Sequence, residues 1–140
     1  MPRPPNVFSG PYLDRISHLR KDPGFVAEAL ASAAARVVVV HDSRLPVRRA
    51  ADGWSPAYLE TAQLQQLALT DAPVLLGQHE GCVYFAVEVV DIEPVHELLR
   101  DVPTRFEDLR VAGGMLPAQQ AGVLAYARAM LHWRSRHRFC

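Results

Sequence analysis

The fold is decided by a stretch in the middle of the chain, Val74-Leu75-Leu76-Gly77-Gln78-His79-Glu80-Gly81-Cys82-Val83-Tyr84-Phe85-Ala86-Val87. Two apolar runs, 74–76 and 83–87, flank a polar segment that begins and ends with glycine. Runs rich in β-branched and aromatic residues on either side of such a segment are typical of a β-hairpin. The stretch therefore predicts two paired antiparallel strands.

A further strand precedes this hairpin, at Val37-Val38-Val39-Val40. Consecutive β-branched residues favour a strand that is buried on both faces. A turn is expected at 41–43 and a short return strand at 45–47. Pro46 predicts that the return strand lies at the edge of its sheet, because proline has no amide proton to donate to a neighbouring strand.

Two helices are predicted in the first half of the chain. Asp22-Pro23 is a helix-start signal, and that helix is expected to run to Ala35. The residues expected to face the core are Phe25, Val26, Ala29, Leu30 and Ala33. After a loop at 50–53, Ser55-Pro56 predicts a second helix over 57–69. Its apolar side is expected to be Leu64, Leu67 and Ala68.

The second half adds two more helices and an extended segment. A short helix is expected from Pro94 to Leu99, an extended segment at 105–109 and a hinge at Gly113-Gly114. Pro117 begins a terminal helix that reaches about His137. The order of all these elements predicts an α+β fold with a largely antiparallel sheet, packed helices and a long C-terminal helix.

The terminal helix carries one apolar stripe, which we expect to pack on the core. The stripe consists of Leu116, Val123, Leu124, Ala127, Met130 and Leu131. Tyr126 and Trp133 lie about 100° from its centre. Either the domain's own sheet covers these two rings, or a missing domain or a second subunit does. The cations at 134, 136, 137 and 138 either complement the helix dipole or attract an anionic substrate.

Composition excludes several classes of function. The chain has 140 residues, of which 49% are hydrophobic, and a formal net charge of zero. These values suit one globular domain and argue against general nucleic-acid binding, which needs a basic surface. No apolar run approaches the roughly 20 residues that cross a bilayer, and the N-terminus lacks the apolar stretch of a signal peptide. We therefore expect a cytoplasmic protein with reduced thiols at Cys82 and Cys140.

No catalytic constellation emerges from the residues themselves. The six histidines are scattered, and His132 and His137 miss the spacing of three or four residues that lets two rings meet one ion on a helix. His79 with Glu80 lies in a predicted turn. The carboxylates at 88, 91 and 93 are expected to be solvated surface charges, and Cys82 a small core side chain. We predict no catalytic residue in this chain.

Several segments together resemble the N-terminal, Nudix-like domain of Nudix-family NADH pyrophosphatases. They are Leu13-Asp14-Arg15, Ser17, Leu19-Arg20, Asp22-Pro23, Leu75-Leu76-Gly77, Tyr84-Phe85-Ala86-Val87, Arg105-Phe106-Glu107-Asp108-Leu109-Arg110, Leu124-Ala125-Tyr126-Ala127-Arg128-Ala129, His132-Trp133 and His137-Arg138-Phe139-Cys140. Four prolines together with Asn6 and Gly10 predict an irregular, extended arm at 1–12. The resemblance implies the Nudix-like domain at 13–139 and, at Cys140, the first zinc ligand of a truncated zinc ribbon.

The resemblance also implies a function for the longer protein. Family members hydrolyse NAD(H) to nicotinamide mononucleotide and AMP. They act as homodimers with a structural zinc ion and with magnesium or manganese at the catalytic Nudix box. The sequence contains no Arg-Glu and no Glu-Glu dipeptide, so that box is absent here. We therefore expect this chain to be inactive alone, to bind no cofactor, and to lack its zinc ribbon and catalytic domain.

Two readings of function remain open. In the first, the chain is the non-catalytic domain of such an enzyme, and Arg105 is the residue expected to contact substrate. In the second, it is a stand-alone interaction or dimerisation module that retains the fold without catalysis. Tyr126 and Trp133 are the residues that favour the second reading.

Overall fold

In the computed structural model, which describes residues 13–14 and 21–137, six strands form two three-stranded sheets. The elements are, in chain order, α1 (Pro23–Ala31), β1 (Ala35–Val40), β2 (Leu45–Ala50), β3 (Gly53–Pro56), a 3-10 helix (Thr61–Gln66), β4 (Val74–His79), β5 (Cys82–Glu88), α2 (Glu93–Leu98), β6 (Thr104–Glu107), α3 (Leu109–Met115) and α4 (Ala118–His137). The predicted α+β fold with its long C-terminal helix is confirmed. The predicted arm at 1–12 and Cys140 lie outside the described residues.

The first sheet has the strand order β1-β5-β4 and contains the predicted hairpin. β4 and β5 pair antiparallel, whereas β1 pairs with β5 in parallel. The turn is tighter than the sequence predicted and consists of Glu80 and Gly81, both with positive φ (50° and 81°). Such a two-residue turn matches the twist of the flanking strands. The strands are therefore paired up to the turn, where His79 lies opposite Cys82.

Gly77 lies at an irregularity in β4, where the register shifts between Leu75 and Gly77. Residue Asp14 pairs with the next residue, Gln78, through two backbone hydrogen bonds of 2.9 and 2.8 Å. A Cβ atom at Gly77 would collide with the carbonyl oxygen of Asp14 and lie 3.0 Å from Cβ of Leu13. Glycine at this position lets the segment at 13–14 lie against β4.

The second sheet has the order β3-β2-β6, so the expectation that Pro46 marks an edge strand was wrong. β2 is the central strand, antiparallel to both neighbours. The ladder between β2 and β3 ends at the pair Val47 and Pro56, one residue away from Pro46. The β2–β3 ladder therefore needs no amide proton from Pro46, and the absence of one breaks no hydrogen bond in it. The Pro46 carbonyl still accepts a hydrogen bond from the Ala57 amide at 3.0 Å.

Three other expectations are corrected by the structure. The first helix ends at Ala31 rather than Ala35, which leaves Ala33 exposed. The helix predicted over 57–69 is replaced by an extended segment and a 3-10 helix. The reason is that Leu59 exchanges two backbone hydrogen bonds of 2.9 Å with Val37, which requires extended backbone there. Gly113 and Gly114 lie inside α3 and do not form a hinge.

Two hydrophobic cores lie on opposite faces of the first sheet. Alternate residues of β1 enter different cores: Val38 and Val40 enter the first, and Val37 and Val39 the second. The first core also contains the buried side of α4 and residues Leu45 and Val47 of the second sheet. The second contains Ala29 of α1 and Val95 of α2. The predictions of a doubly buried β1 and of an apolar stripe on α4 are confirmed.

No helix within the described part of the chain combines the length and the apolar composition needed to cross a bilayer.

Replacing Gly77 with alanine should lower the free energy of unfolding by about 1–3 kcal/mol, since the new methyl group displaces the backbone of Asp14. Gly114→Ala is the matched control: its Cβ would meet nothing within 4 Å, and it lies in a helix. That variant should be more stable than the parent by about 0.5–1 kcal/mol. Urea unfolding measures both, and equal effects of the two substitutions would contradict the close approach at Gly77.

Candidate functional site

Three side chains of the second sheet form a cluster on one of its faces. Arg49 on β2 lies directly opposite Trp54 on β3, and Arg105 on β6 lies opposite Val47, two residues before Arg49. Directly paired residues, and residues two apart on a strand, share a face of the sheet. The guanidinium carbons of Arg49 and Arg105 lie 5.5 and 5.9 Å from the centroid of the Trp54 ring. We call these three residues the arginine–tryptophan cluster.

The indole ring of Trp54 is held in place by packing. Trp54 is half-buried and packs against the first hydrophobic core. A cation over the face of an indole ring is attracted by the negative charge of the π-system. A contact of this kind does not consume the N–H donors of a guanidinium. Both arginines therefore contact the ring and keep donors for hydrogen bonds, one of which Arg105 makes to Glu107.

The cluster has a net positive charge. Arg105 pairs with Glu107 at 2.7 Å between Nη2 and Oε1, and its own side chain is 62% exposed. Among the described residues, no carboxylate lies within ion-pair distance of Arg49. The two guanidinium groups therefore carry two positive charges, and Glu107 offsets one of them. Paired guanidinium groups of this kind favour planar or tetrahedral oxyanions such as carboxylate and phosphate.

Sequence reasoning named Arg105 but missed Arg49 and Trp54. It assigned 50–53 to a loop, so nothing placed residues 49 and 54 opposite one another. A partial signal was present, since Asp52-Gly53 is a dipeptide typical of tight hairpin turns. A turn centred on that dipeptide would pair Arg49 with Pro56, whereas the observed turn is Ala51-Asp52 and pairs Arg49 with Trp54.

The histidines are not brought together in the described part of the chain. The His41 ring lies 3.3 Å from the Val89 carbonyl oxygen, and the His96 ring packs edge-on against Phe106 with 5.6 Å between centroids. His79 lies 3.7 Å from the carboxylate of Glu80, and His132 is exposed. His18 and the side chain of His137 are outside the described residues.

No described group of three or more His, Cys, Asp or Glu side chains could hold a metal ion, and this includes the carboxylates at 88, 91 and 93. Cys82 lies in β5 and is half-buried, outside both hydrophobic cores, so its assignment to the core is corrected. Cys140, the expected zinc ligand, lies outside the described residues.

The two aromatic residues of α4 have different surroundings. Tyr126 is half-buried and packs against the first core, so the domain itself covers this ring. Trp133 is 57% exposed. At the end of the same helix Arg134 donates a hydrogen bond to the carbonyl oxygen of Ala72, and Arg136 is exposed. Arg134 thus has a structural contact, linking α4 to the segment that precedes β4.

Comparison with known families gives one match. A family model described as an NADH pyrophosphatase-like rudimentary NUDIX domain matches residues 17–133. No curated protein matches the chain. The match confirms the resemblance stated from the sequence, and the matched range includes all three residues of the arginine–tryptophan cluster.

A double-mutant cycle tests the contact between Arg49 and Trp54. We expect Arg49→Leu and Trp54→Leu to be coupled by about 0.5–1 kcal/mol in the free energy of unfolding, the usual magnitude for an exposed cation–π pair. Urea denaturation of the parent, both single variants and the double variant gives this number. The control cycle combines Arg100→Leu with Trp54→Leu. Arg100 pairs with Glu97 at 2.9 Å and makes no cation–π contact with the Trp54 ring. Its coupling to Trp54 should be zero within about 0.5 kcal/mol. Equal coupling in the two cycles would contradict the cation–π contact between Arg49 and Trp54.

Proposed function

We propose that this chain is the non-catalytic N-terminal domain of an NAD(H)-hydrolysing enzyme, because the chain belongs to the family of NADH pyrophosphatase-like rudimentary NUDIX domains. The full-length protein would cleave the pyrophosphate of NAD(H) to give nicotinamide mononucleotide and AMP. In this proposal, a zinc ribbon that begins at Cys140 and a catalytic Nudix domain follow the chain. The full-length protein would be a cytoplasmic homodimer that uses magnesium or manganese.

The chemistry of the reaction supports assigning catalysis to another domain. Cleavage of a pyrophosphate with magnesium or manganese needs several carboxylates converging on the metal ions. The Nudix box supplies them from Arg-Glu and Glu-Glu pairs, and the 140 residues contain neither dipeptide. Binding rather than bond cleavage is therefore the role proposed for this domain.

The arginine–tryptophan cluster is the observation on which the binding role rests. A dinucleotide presents two adjacent phosphates, each with a negative charge. Arg49 has no carboxylate partner among the described residues, and Arg105 shares its charge with Glu107. Two guanidinium groups held over one ring can attract and orient such a pyrophosphate. We propose that the cluster guides the dinucleotide toward the catalytic domain.

Calorimetric titration of this chain with NADH at low salt tests the binding role. We expect weak binding, and a loss of about three- to tenfold in affinity for Arg105→Gln, because an exposed charge-assisted contact contributes roughly 1 kcal/mol. Arg44→Gln is the control, since it removes the same charge from an exposed turn residue outside the cluster. The same titrations with magnesium or manganese should release no AMP. Equal losses in both variants would exclude the cluster as the site, and AMP release at an enzymatic rate would exclude the non-catalytic assignment.

The exposed ring of Trp133 favours a second candidate function, a module that dimerises without catalysis. This ring is 57% exposed on α4, and large aromatic side chains are favoured as anchors in protein interfaces.

Sedimentation of the chain across a concentration series distinguishes this second candidate. If the chain dimerises through α4, Trp133→Glu should sediment as a monomer, because a carboxylate cannot be buried unpaired in an apolar interface. Trp133→Phe, which retains an apolar ring, should still dimerise. A parent chain that sediments as a monomer at every concentration would remove this candidate.

A further inference from the structure

A cavity lies beside the second sheet and is separate from the arginine–tryptophan cluster. It has a volume of about 330 Å³, and its polar lining residues are Arg36, Arg48, Ser55, Tyr58, Glu60 and Gln120. Arg48 and Ser55 are directly paired on β2 and β3, so they share a face. Their sequence neighbours Arg49 and Trp54 point to the opposite face, because side chains alternate along a strand.

Two guanidinium groups give this cavity its positive charge. Arg36 is held by its Nη1 atom, which donates to the carbonyl oxygens of Ala33 and Ala35 at 3.0 Å each. Neither Arg36 nor Arg48 has a carboxylate partner within ion-pair distance among the described residues. Glu60 contributes the opposing charge, so the lining has a net charge of plus one. Such a lining attracts an anion while leaving one carboxylate to accept from a hydroxyl or amino group.

Gln120, in the first turn of α4, lacks the hydrogen bond that its burial demands. Its Oε1 atom is buried without a hydrogen-bond partner, while the residue as a whole is half-buried and borders the cavity. Buried carbonyl oxygens are nearly always paired in native proteins, so each exception calls for an explanation. Because Oε1 is buried, the amide nitrogen is the polar atom of this side chain that could reach a ligand in the cavity, and it would donate to an oxygen of that ligand.

The size of the cavity and its aromatic wall restrict the ligand further. Pockets for small molecules begin at roughly 300 Å³, so a free phosphate ion alone would leave most of this cavity empty. Tyr58 is half-buried, and its ring contacts Tyr84 edge-on with 5.4 Å between centroids. A fixed aromatic ring of this kind provides a surface on which a planar ring can pack.

We propose that this cavity binds a small organic phosphate that carries a ring and a hydrogen-bond donor, of the size of a nucleoside monophosphate. The phosphate lies against Arg36 and Arg48, the ring packs near Tyr58, an amino or hydroxyl group donates to Glu60, and the amide nitrogen of Gln120 donates to a ligand oxygen. The assignment does not rest on the dinucleotide-binding role of the arginine–tryptophan cluster, since the two sites use different arginines on opposite faces of β2.

Calorimetry with three related probes tests each part of this ligand. AMP carries phosphate, ring and donors; ribose 5-phosphate lacks the ring; adenosine lacks the phosphate. We expect AMP to bind, and the other two to bind about tenfold more weakly or worse, as the loss of one charge-assisted contact or one packed ring predicts. Adenosine binding as tightly as AMP would overturn the anion site, and ribose 5-phosphate doing so would overturn the role of Tyr58. No binding of AMP at millimolar concentration would overturn the proposal as a whole.

Matched variants place the binding in this cavity. Arg48→Gln should weaken AMP binding about tenfold, whereas Arg44→Gln, at an exposed position outside both sites, should leave it unchanged. If Arg105→Gln lowered the affinity and Arg48→Gln did not, AMP would be bound by the cluster and the proposal would fail. Failure here leaves the NADH titration of Arg105→Gln unaffected, so the two proposals are tested separately.

The Gln120→Leu substitution distinguishes a role in binding from a role in packing, because the two roles predict different changes in melting temperature and AMP affinity. It removes an unpaired buried carbonyl, so the melting temperature without ligand should equal or exceed that of the parent, while AMP affinity falls. Gln119→Leu, at the exposed neighbouring position on α4, should change neither quantity. A lower melting temperature together with unchanged AMP affinity in Gln120→Leu would show that Gln120 serves packing alone and would overturn its role in binding.

Discussion

The structure depends on the parallel pairing of β1 with β5, which places one strand at the boundary of two hydrophobic cores. Since side chains alternate along a strand, burial on both faces requires apolar residues at consecutive positions. Residues 37–40 meet this requirement with four valines, each no more than 2% exposed. Phe85, Ala86 and Val87 meet it on β5. A polar residue anywhere in these two runs would place an unsatisfied group in one core or the other.

This constraint determines where the remaining elements lie. A parallel pair cannot be joined by a tight turn, so the chain between β1 and β5 must leave the first sheet and return. It does so through β2, β3 and the 3-10 helix before it reaches β4, so two strands of the second sheet lie within this connection. The segment after β3 also returns to β1 at the pair Leu59 and Val37, where it covers the edge of the first sheet.

Sequence reasoning succeeded where one local pattern determined one element. The hairpin of β4 and β5, the doubly buried β1 and the stripe of α4 each follow from periodicity or turn residues within a few positions. It failed where distant pairing overrode a local signal. Ser55-Pro56 favours a helix, but the bonds between Leu59 and Val37 hold the following residues extended. Pro46 predicts an edge strand, and only the position at which the β2–β3 ladder ends makes it tolerable in a central strand.

The difference between local patterns and distant pairing also explains why the sequence predicted the candidate sites only in part. Both faces of the first sheet are occupied by hydrophobic cores, so polar chemistry has to be placed on the second sheet or at its borders. The polar residues of that sheet are contributed by two neighbouring strands, β2 and β3, and by β6, which lies far along the chain. Arg49 and Arg105 are separated by 56 positions in the numbering and meet over Trp54 only because β2 lies between β3 and β6. A single residue such as Arg105 can therefore be named from a family resemblance. Its partners, and the unpaired carbonyl of Gln120 beyond the other face, are properties of strand order and helix position.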